Sequence, residues 1–229
     1  MQIKLVTWNL HRCIGRDGVM SPERCAAVLN EIDADMVALQ EVESRPGHAL
    51  DALAYLARET NSHAIPGTTL VIEDTHYGNA LLTRLPVGEV RRHDLSMDRR
   101  EPRAALDVDI ELERWRLQLV ATHLGLRPAE RRMQVQRLLP LFDNERREAV
   151  VLVGDLNEWF LWGRPLRMLH RIFPDTPHRR TWPARTPLFA LDRIWVHPRE
   201  LLHQLVAHRS AMARIASDHL PLIAHIRLK

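Results

Sequence analysis

A chain of 229 residues, 45% hydrophobic and 27% charged, can bury one substantial core and sits near the average for globular proteins, which excludes a disordered polymer and a membrane-embedded bundle. The formal net charge is +3, yet of 32 basic residues only Lys4 and Lys229 are lysine; such an arginine bias suits bidentate phosphate contacts and is equally explained by solvated faces or codon composition. The two cysteines, Cys13 and Cys25, form no C-x-x-C and cannot make a structural zinc site by themselves.

The N-terminus enters a strand-like pattern at once, without a basic region, long apolar stretch and small-residue cleavage site, so a cytoplasmic location is the expectation. Ile3 to Trp8 reads as a strand running into Asn9, and Gly15, Asp17 and Gly18 mark a loop. Ser21-Pro22 has the form of an N-cap with proline at the first helical position, ahead of Cys25, Val28, Leu29 and Ile32 at helical spacing. Met36 to Leu39 is a second short strand, expected to end at Gln40-Glu41, and Leu50, Leu53 and Ala57 suggest a second amphipathic helix. From residue 68 to 123 the strand-sized runs are Asn79 to Thr83, Val87 to Arg92, Ala104 to Ile110 and Trp115 to Thr122, read together as an antiparallel sheet. Leu106, Val108 and Ile110 alternate with Asp107, Asp109 and Glu111, the pattern of a strand with one buried face. A helix from Pro128, with Val135, Leu138, Leu139 and Phe142 on one face, should end or kink at Pro140. Ala149 to Val153 is a buried strand, Pro165 to His170 a short helix, and Asp192 to Val196 and Pro221 to Leu228 are closing strands. Strands in runs with helices between them point to two packed mixed sheets, helices outside. No repeat, low-complexity tract or Gly/Ser linker divides residues 1–229, so one domain is expected.

Polar, metal-competent residues recur where the apolar strands end: Trp8-Asn9, Leu39-Gln40-Glu41, Thr122-His123, Gly154-Asp155-Leu156-Asn157, Leu191-Asp192 and Ser217-Asp218-His219. Strand ends and the loops leaving them are common places for ligands and catalysis. Each residue taken singly has a plainer reading: Asn9 as a turn residue, Glu41 as a solvated carboxylate, His123 as a hydrogen-bonded strand end, Asp218-His219 as a cap before Pro221. Asp155 and Asn157 are more pointed, because side chains two apart face the same way if strand geometry persists.

As an ordered set, TWN (7–9), LQEVE (39–43), THL (122–124), GDLN (154–157), LDRIWV (191–196) and SDHLP (217–221) resemble the endonuclease/exonuclease/phosphatase (DNase I-like) superfamily, across residues 5 to 221. The resemblance implies an α+β fold, a four-layer α/β/β/α sandwich of two mixed sheets, and hydrolytic phosphoryl transfer. Glu41 would be the principal carboxylate ligand of Mg²⁺, or of Mn²⁺, with Asn9 and Asp218 able to add oxygens. Asp155 would orient or deprotonate the attacking water and Asn157 would hold that water or a phosphoryl oxygen. His219 would donate to a non-bridging oxygen, with Asp192 fixing its tautomer. His123 matches the histidine held to protonate the leaving oxygen in the deoxyribonuclease and sphingomyelinase branches, although the split of roles with His219 stays open. Arg103, in EPRAAL, resembles a phosphate-neutralising arginine of small bacterial members, and is also readable as a surface residue. Tyr77 and Asn79, in HYGNALLTR, lie where relatives place a group that supports an active-site histidine.

Departures bear on substrate. The asparagine-rich loop with a tyrosine of the abasic-site endonuclease branch is replaced by Thr122-His123-Leu124, which disfavours abasic-DNA repair. The aromatic stretch Trp159 to Trp162 beside GDLN could stack bases, meet lipid or pack under the loop. The expected partner is a phosphodiester substrate: a nucleic acid, or alternatively a lipid phosphoester or membrane surface, with no obligate protein partner evident. A non-catalytic module of the same fold would have lost some of these groups, whereas each matched position keeps a competent residue.

Overall fold

A computed structural model describes residues 1–48, 51–142 and 148–228. In chain order the elements are β1 (Gln2–Asn9), α1 (Pro22–Ile32), β2 (Met36–Ser44), α2 (Ala52–Glu59), β3 (His63–Ile72), β4 (Thr75–Thr83), β5 (Val87–Asp94), β6 (Ala104–Leu112), β7 (Trp115–His123), α3 (Pro128–Leu138), β8 (Ala149–Asp155), α4 (Arg164–Leu169), β9 (Asp192–His197), β10 (Leu202–Ala207), α5 (Ala213–Ala216) and β11 (Leu222–Arg227). One sheet has the order β10-β11-β1-β2-β4-β3 and the other β5-β6-β7-β8-β9. Both are mixed: β1 and β2 run parallel, as do β7 and β8, and the other pairings are antiparallel.

Three apolar layers hold the stack together. Ile3, Leu5 and Met36 of the first sheet meet Val108, Leu119, Val151 and Ile194 of the second. The outer face of the first sheet packs Val6, Trp8 and Leu39 on Val28 and Leu29 of α1 and on Leu53 and Leu56 of α2. The outer face of the second packs Val120, Leu152 and Trp195 on Val135 and Leu138 of α3 and Leu166 and Leu169 of α4. The result is the α/β/β/α sandwich. Each fully buried aliphatic side chain is worth about 1.5–3 kcal/mol, enough in sum to carry a cluster of buried charges at one end. No helix among the described residues is long and apolar enough to cross a membrane.

Local signals set most element starts. Ser21 accepts from Arg24 N and Pro22 opens α1; Asp51 accepts from Leu53 N and Ala54 N at the start of α2, while Leu50 lies outside the described residues. The helix from Pro128 stops at Leu138, and Pro140 falls in a 3₁₀ turn, Leu139–Phe142. Three expectations change. β2 does not end at Gln40-Glu41 but continues to Ser44, across a register shift between Leu39 and Val42. The run expected as one antiparallel sheet is divided, β3 and β4 joining the first sheet and β5 to β7 the second. β3 and β10 were not anticipated; both are edge strands with register shifts, so neither shows clean alternation.

The outward face of β6 carries a polar network. Arg91 forks across Asp107 (Nε and Nη2, both 3.0 Å) and Asp109 (3.0 and 2.8 Å), and Gln118 Nε2 donates to Asp107 at 2.9 Å. Burial by itself raises the Asp107 carboxyl, but hydrogen bonds from Arg91, Gln118 and His93 outweigh it and hold it below the ordinary carboxylate range. Because the folded value is depressed, the stabilisation is fully present above the unfolded value of about 3.9 and is lost as pH falls through the folded one. Asp107→Asn should therefore cost about 3 kcal/mol at neutral pH, with the gap from the parent narrowing below about pH 4. Urea unfolding across pH checks this; a gap that stays constant into acid contradicts it.

Candidate active site

The second sheet brings three of the predicted residues side by side. His123 ends β7, Asp155 ends β8 and Asp192 begins β9, and the strand register pairs His123 with Asp155 and Asp155 with Asp192. On these strands Val153 and Ile194 belong to the layer between the sheets, so side chains two positions on emerge at that layer's rim. Gly154 permits the close pairing: at φ +140° an added Cβ would lie 1.8 Å from the Thr122 carbonyl oxygen.

From the facing sheet, β1 delivers Asn9 and β2 delivers Glu41. The register shift in β2 is a bulge: Glu41 takes φ +54°, which aims its carboxylate out of the ladder. Asn9 Nδ2 donates to Glu41 Oε1 at 2.9 Å and to Asp155 Oδ2 at 3.2 Å, tying the two sheets together. Its Oδ1 accepts from His11 N at 3.0 Å. The loop before β11 closes the ring, since Ser217 Oγ donates to the Asn9 carbonyl at 2.7 Å and Trp8 Nε1 donates to the His219 carbonyl at 2.9 Å.

His219 Nδ1 lies 2.9 Å from Asp192 Oδ2, which also accepts from Thr181 Oγ1, and His219 Nε2 lies 3.8 Å from Asp155 Oδ2. Burial opposes charge on this ring, but Asp192, by charge and hydrogen bond, with Asp155 and Asp218 behind it, pushes it to about 10; His219 is an imidazolium at neutral pH. Burial raises Asp155 to about 6, with His219 opposing the rise and Asp192 adding to it. His123 is the opposite case: burial, then the charges of Arg103 and His219, take it well below the ordinary histidine value. Arg103 Nη1 sits 3.0 Å from His123 Nδ1 and Asn157 Nδ2 3.0 Å from His123 Nε2; both are donors, and a neutral ring has one acceptor nitrogen, so it accepts from only one of them. His123 Nε2 also lies 3.6 Å from Asp155 Oδ2. Asn157, at φ +50°, donates its backbone N–H to Asp155 Oδ1 at 2.9 Å, closing the turn, and donates its side-chain amide to the Leu124 carbonyl at 2.9 Å.

Asn9, Glu41, His123, Asp155, Asn157, Asp192 and His219 thus form one connected cluster. Arg103 joins it through His123 as a buried residue, not a surface one, and Glu101 pairs with it at 3.0 Å. Asp218 stands at the margin: its carboxylate accepts from Trp182 Nε1 at 3.1 Å and approaches His11 Nδ1 at 4.0 Å. Tyr77 lines a neighbouring cavity of about 350 Å³ with Arg12, Leu70 and Glu101, and burial, then Glu41 and Glu101, raise its phenol. Asn79 lies behind, donating to the Ala104 carbonyl at 3.1 Å. Sequence reasoning missed Thr181 and Trp182, which come from a long loop without regular pattern. Ser217 was within reach, since it opens the quoted SDHLP.

Oxygen donors dominate where the sheets meet, and Glu41 and Asp155 both lie within hydrogen-bond distance of a single atom, Asn9 Nδ2. Such a hard, anionic donor set fits a divalent cation of the magnesium or manganese kind. Asp155, Asp192 and His219 also offer ligand atoms within 4.8 Å of one another. There, His219 Nδ1 and Asp192 Oδ2 are already hydrogen-bonded to each other at 2.9 Å.

The chain is similar to known proteins over its whole length. The "Uncharacterized protein YbhP" of Escherichia coli (strain K12) is 32% identical, the match covering 98% of this chain and 96% of the relative. An endonuclease/exonuclease/phosphatase from Beutenbergia cavernae DSM 12333 superposes with a TM-score of 0.78 at 24% identity, over 99% of this chain and 72% of that one. A functionally unknown conserved protein from Enterococcus faecalis V583 gives 0.81 at 18% identity, over 99% and 100%. The model of the Endonuclease/Exonuclease/phosphatase family matches residues 6–219, a span that holds every residue of the cluster, and the chain belongs to that family.

Proposed function

We propose that the chain is a divalent-cation-dependent phosphodiesterase that cleaves its substrate with an activated water. The observation that carries this reading is the Asn9 amide bridging Glu41 and Asp155, beside a charged His219 held by Asp192. Glu41 would hold the cation, with Asp218 able to add an oxygen at its margin; Asn9, expected to add another, instead turns its Oδ1 to His11 N and would steady the Glu41 carboxylate through Nδ2. When bound, the cation supplies charge neutralisation at the phosphoryl group.

The remaining chemistry belongs to the side chains. Asp155, raised toward neutrality by burial, accepts a proton from the attacking water while its Oδ1 is steadied by Asn157 N–H. Asn157 keeps its own amide at the same edge and holds the water or a phosphoryl oxygen. The new P–O bond forms as the bond to the leaving oxygen breaks, giving a phosphomonoester and an alcohol. His219 donates from Nε2 to the phosphoryl oxygen that gains charge, and Asp192 keeps its Nδ1 proton engaged. A neutral His123 is a poor acid, so we give His123, with Arg103, the task of positioning Asn157 and Asp155; with both His219 N–H groups engaged, the leaving oxygen takes its proton from solvent water.

Arginine placement weakens the case for a continuous polynucleotide track. Arg91 is tied to Asp107 and Asp109, the exposed Arg92 to the Pro66 carbonyl, and Arg131 is buried on Glu158, so these arginines are engaged within the protein. A nuclease reading then rests on Arg99-Arg100 and Arg179-Arg180, and the exposed Trp159 to Trp162 stretch favours a lipid phosphodiester.

Treatment with EDTA should abolish hydrolysis of bis(p-nitrophenyl) phosphate, and added Mg²⁺ or Mn²⁺ should restore it. Full activity in the chelator would overturn the metal assignment, and no turnover of any soluble, nucleic-acid or lipid diester would overturn the function.

A further inference from the structure

The loops at the active-site edge of the second sheet expose an unusual amount of apolar surface. Leu126 follows β7, residues 159–162 follow β8, and Leu188 precedes β9, so all leave the same edge. Phe160 is 58% and Trp162 71% exposed, with their rings 5.5 Å apart, and Leu126, Leu161 and Leu188 are also exposed. The presentation is built, not incidental. Trp159 is locked edge-on against Trp182 and Phe189 at 5.3 and 4.7 Å, Glu158 is buried on Arg131, and the Gly163 N–H to Phe160 carbonyl bond turns the loop outward. Trp182 in turn donates to Asp218, so the aromatic base of the patch is joined to the site.

Charge is concentrated in the same segment. Residues 156–191 contain six exposed arginines against two carboxylates, of which Glu158 is buried and paired; Arg164 follows the exposed loop, Arg179 and Arg180 precede Thr181 at Asp192, and Arg185 lies against Arg214, whereas Arg171 sits toward Phe173 and Phe142 at the other end of the sheet. That excess is larger than the formal +3 of the whole chain, so the remainder carries no net positive charge. Protruding aromatic and aliphatic side chains flanked by arginines are what an anionic, water-hydrocarbon boundary attracts: the rings and leucines enter the interface while guanidinium groups stay among the headgroup phosphates. A single-stranded nucleic acid would use the rings for stacking but gain little from three exposed leucines.

We propose that this rim, Leu126, Phe160 to Trp162 and Leu188 within its arginine border, docks the protein on the surface of an anionic phospholipid bilayer. Docking holds whether or not the site is hydrolytic. Resting on the phosphodiesterase reading, the substrate class that follows is the headgroup phosphodiester of a phospholipid in that surface.

The full chain should co-sediment with vesicles of phosphatidylcholine mixed with phosphatidylglycerol, and about tenfold less with phosphatidylcholine alone. Its tryptophan emission should move to shorter wavelength on binding. A Phe160→Ser/Trp162→Ser double variant should lose vesicle partition by at least about tenfold while keeping its melting temperature and its hydrolysis of bis(p-nitrophenyl) phosphate; Arg179→Ser/Arg180→Ser should lose mainly the preference for phosphatidylglycerol. Partition that is absent in the parent, or unaltered in the Phe160/Trp162 variant, overturns the proposal. So does binding of single-stranded DNA in place of vesicles, or a dimer that the same double substitution dissociates. Vesicle binding without turnover of the vesicle lipid would remove the substrate class and leave docking in place, and the phosphodiesterase reading itself falls only if bis(p-nitrophenyl) phosphate and nucleic acid also go unhydrolysed.

Discussion

Glu41→Ala should lower kcat/KM for a soluble phosphodiester by at least about 10³-fold, and His123→Ala by no more than that. The two residues lie on opposite sheets and are asked for different things. Glu41 is presented by a bulge at φ +54° with one oxygen on Asn9, and its removal takes away the anionic donor proposed to hold the cation. His123 is buried, neutral and braced by Arg103, so its loss perturbs the placement of Asn157 and Asp155 and leaves the carboxylates intact. The cation concentration for half-maximal activity separates the cases further: it should rise steeply in the Glu41 variant and little in the His123 variant. Near-parent activity in Glu41→Ala would remove that residue from the metal site.

Asp192→Asn tests the other half of the cluster. The Asp192 carboxylate holds His219 Nδ1 at 2.9 Å and supplies the largest favourable contribution to its charge. An amide of the same shape keeps the packing but no longer favours an imidazolium, so the donor aimed at the phosphoryl group weakens. We expect kcat to fall by about 10²- to 10³-fold, the range for losing one preorganised donor, with the cation requirement close to the parent's. A fall in cation affinity in place of kcat would move Asp192 into the metal set, beside Asp155 and His219, whose ligand atoms lie within 4.8 Å of one another. Thr181 shares the same carboxylate oxygen and belongs to this arm.

The layer between the sheets was legible from alternation alone: Leu106, Val108 and Ile110 against Asp107, Asp109 and Glu111 states which face of β6 is buried, and Ser21-Pro22 states where α1 begins. Local rules suffice there because period and capping are properties of neighbouring residues. β10 was illegible for the same reason, since a register shift between Leu202 and Gln204 erases the alternation. The bulge at Glu41 was misread as a strand end: a polar pair after an apolar run looks alike whether the strand stops or kinks, and only pairing with β4 distinguishes them.

By itself the sequence determined the family and the residue types of the site, because six short pieces in fixed order survive as a pattern whatever the loops between them do. Tertiary structure decided what those residues are. Strand register set His123, Asp155 and Asp192 in a row, and Asn9 bridged them to Glu41 across the sheets. Burial pulled both histidines down and neighbouring charge then drove them apart, His219 up to about 10 beside Asp192 and His123 further down beside Arg103. Protonation depends on desolvation and on charges brought near from distant parts of the chain, and neither is a property of a residue's place in the sequence.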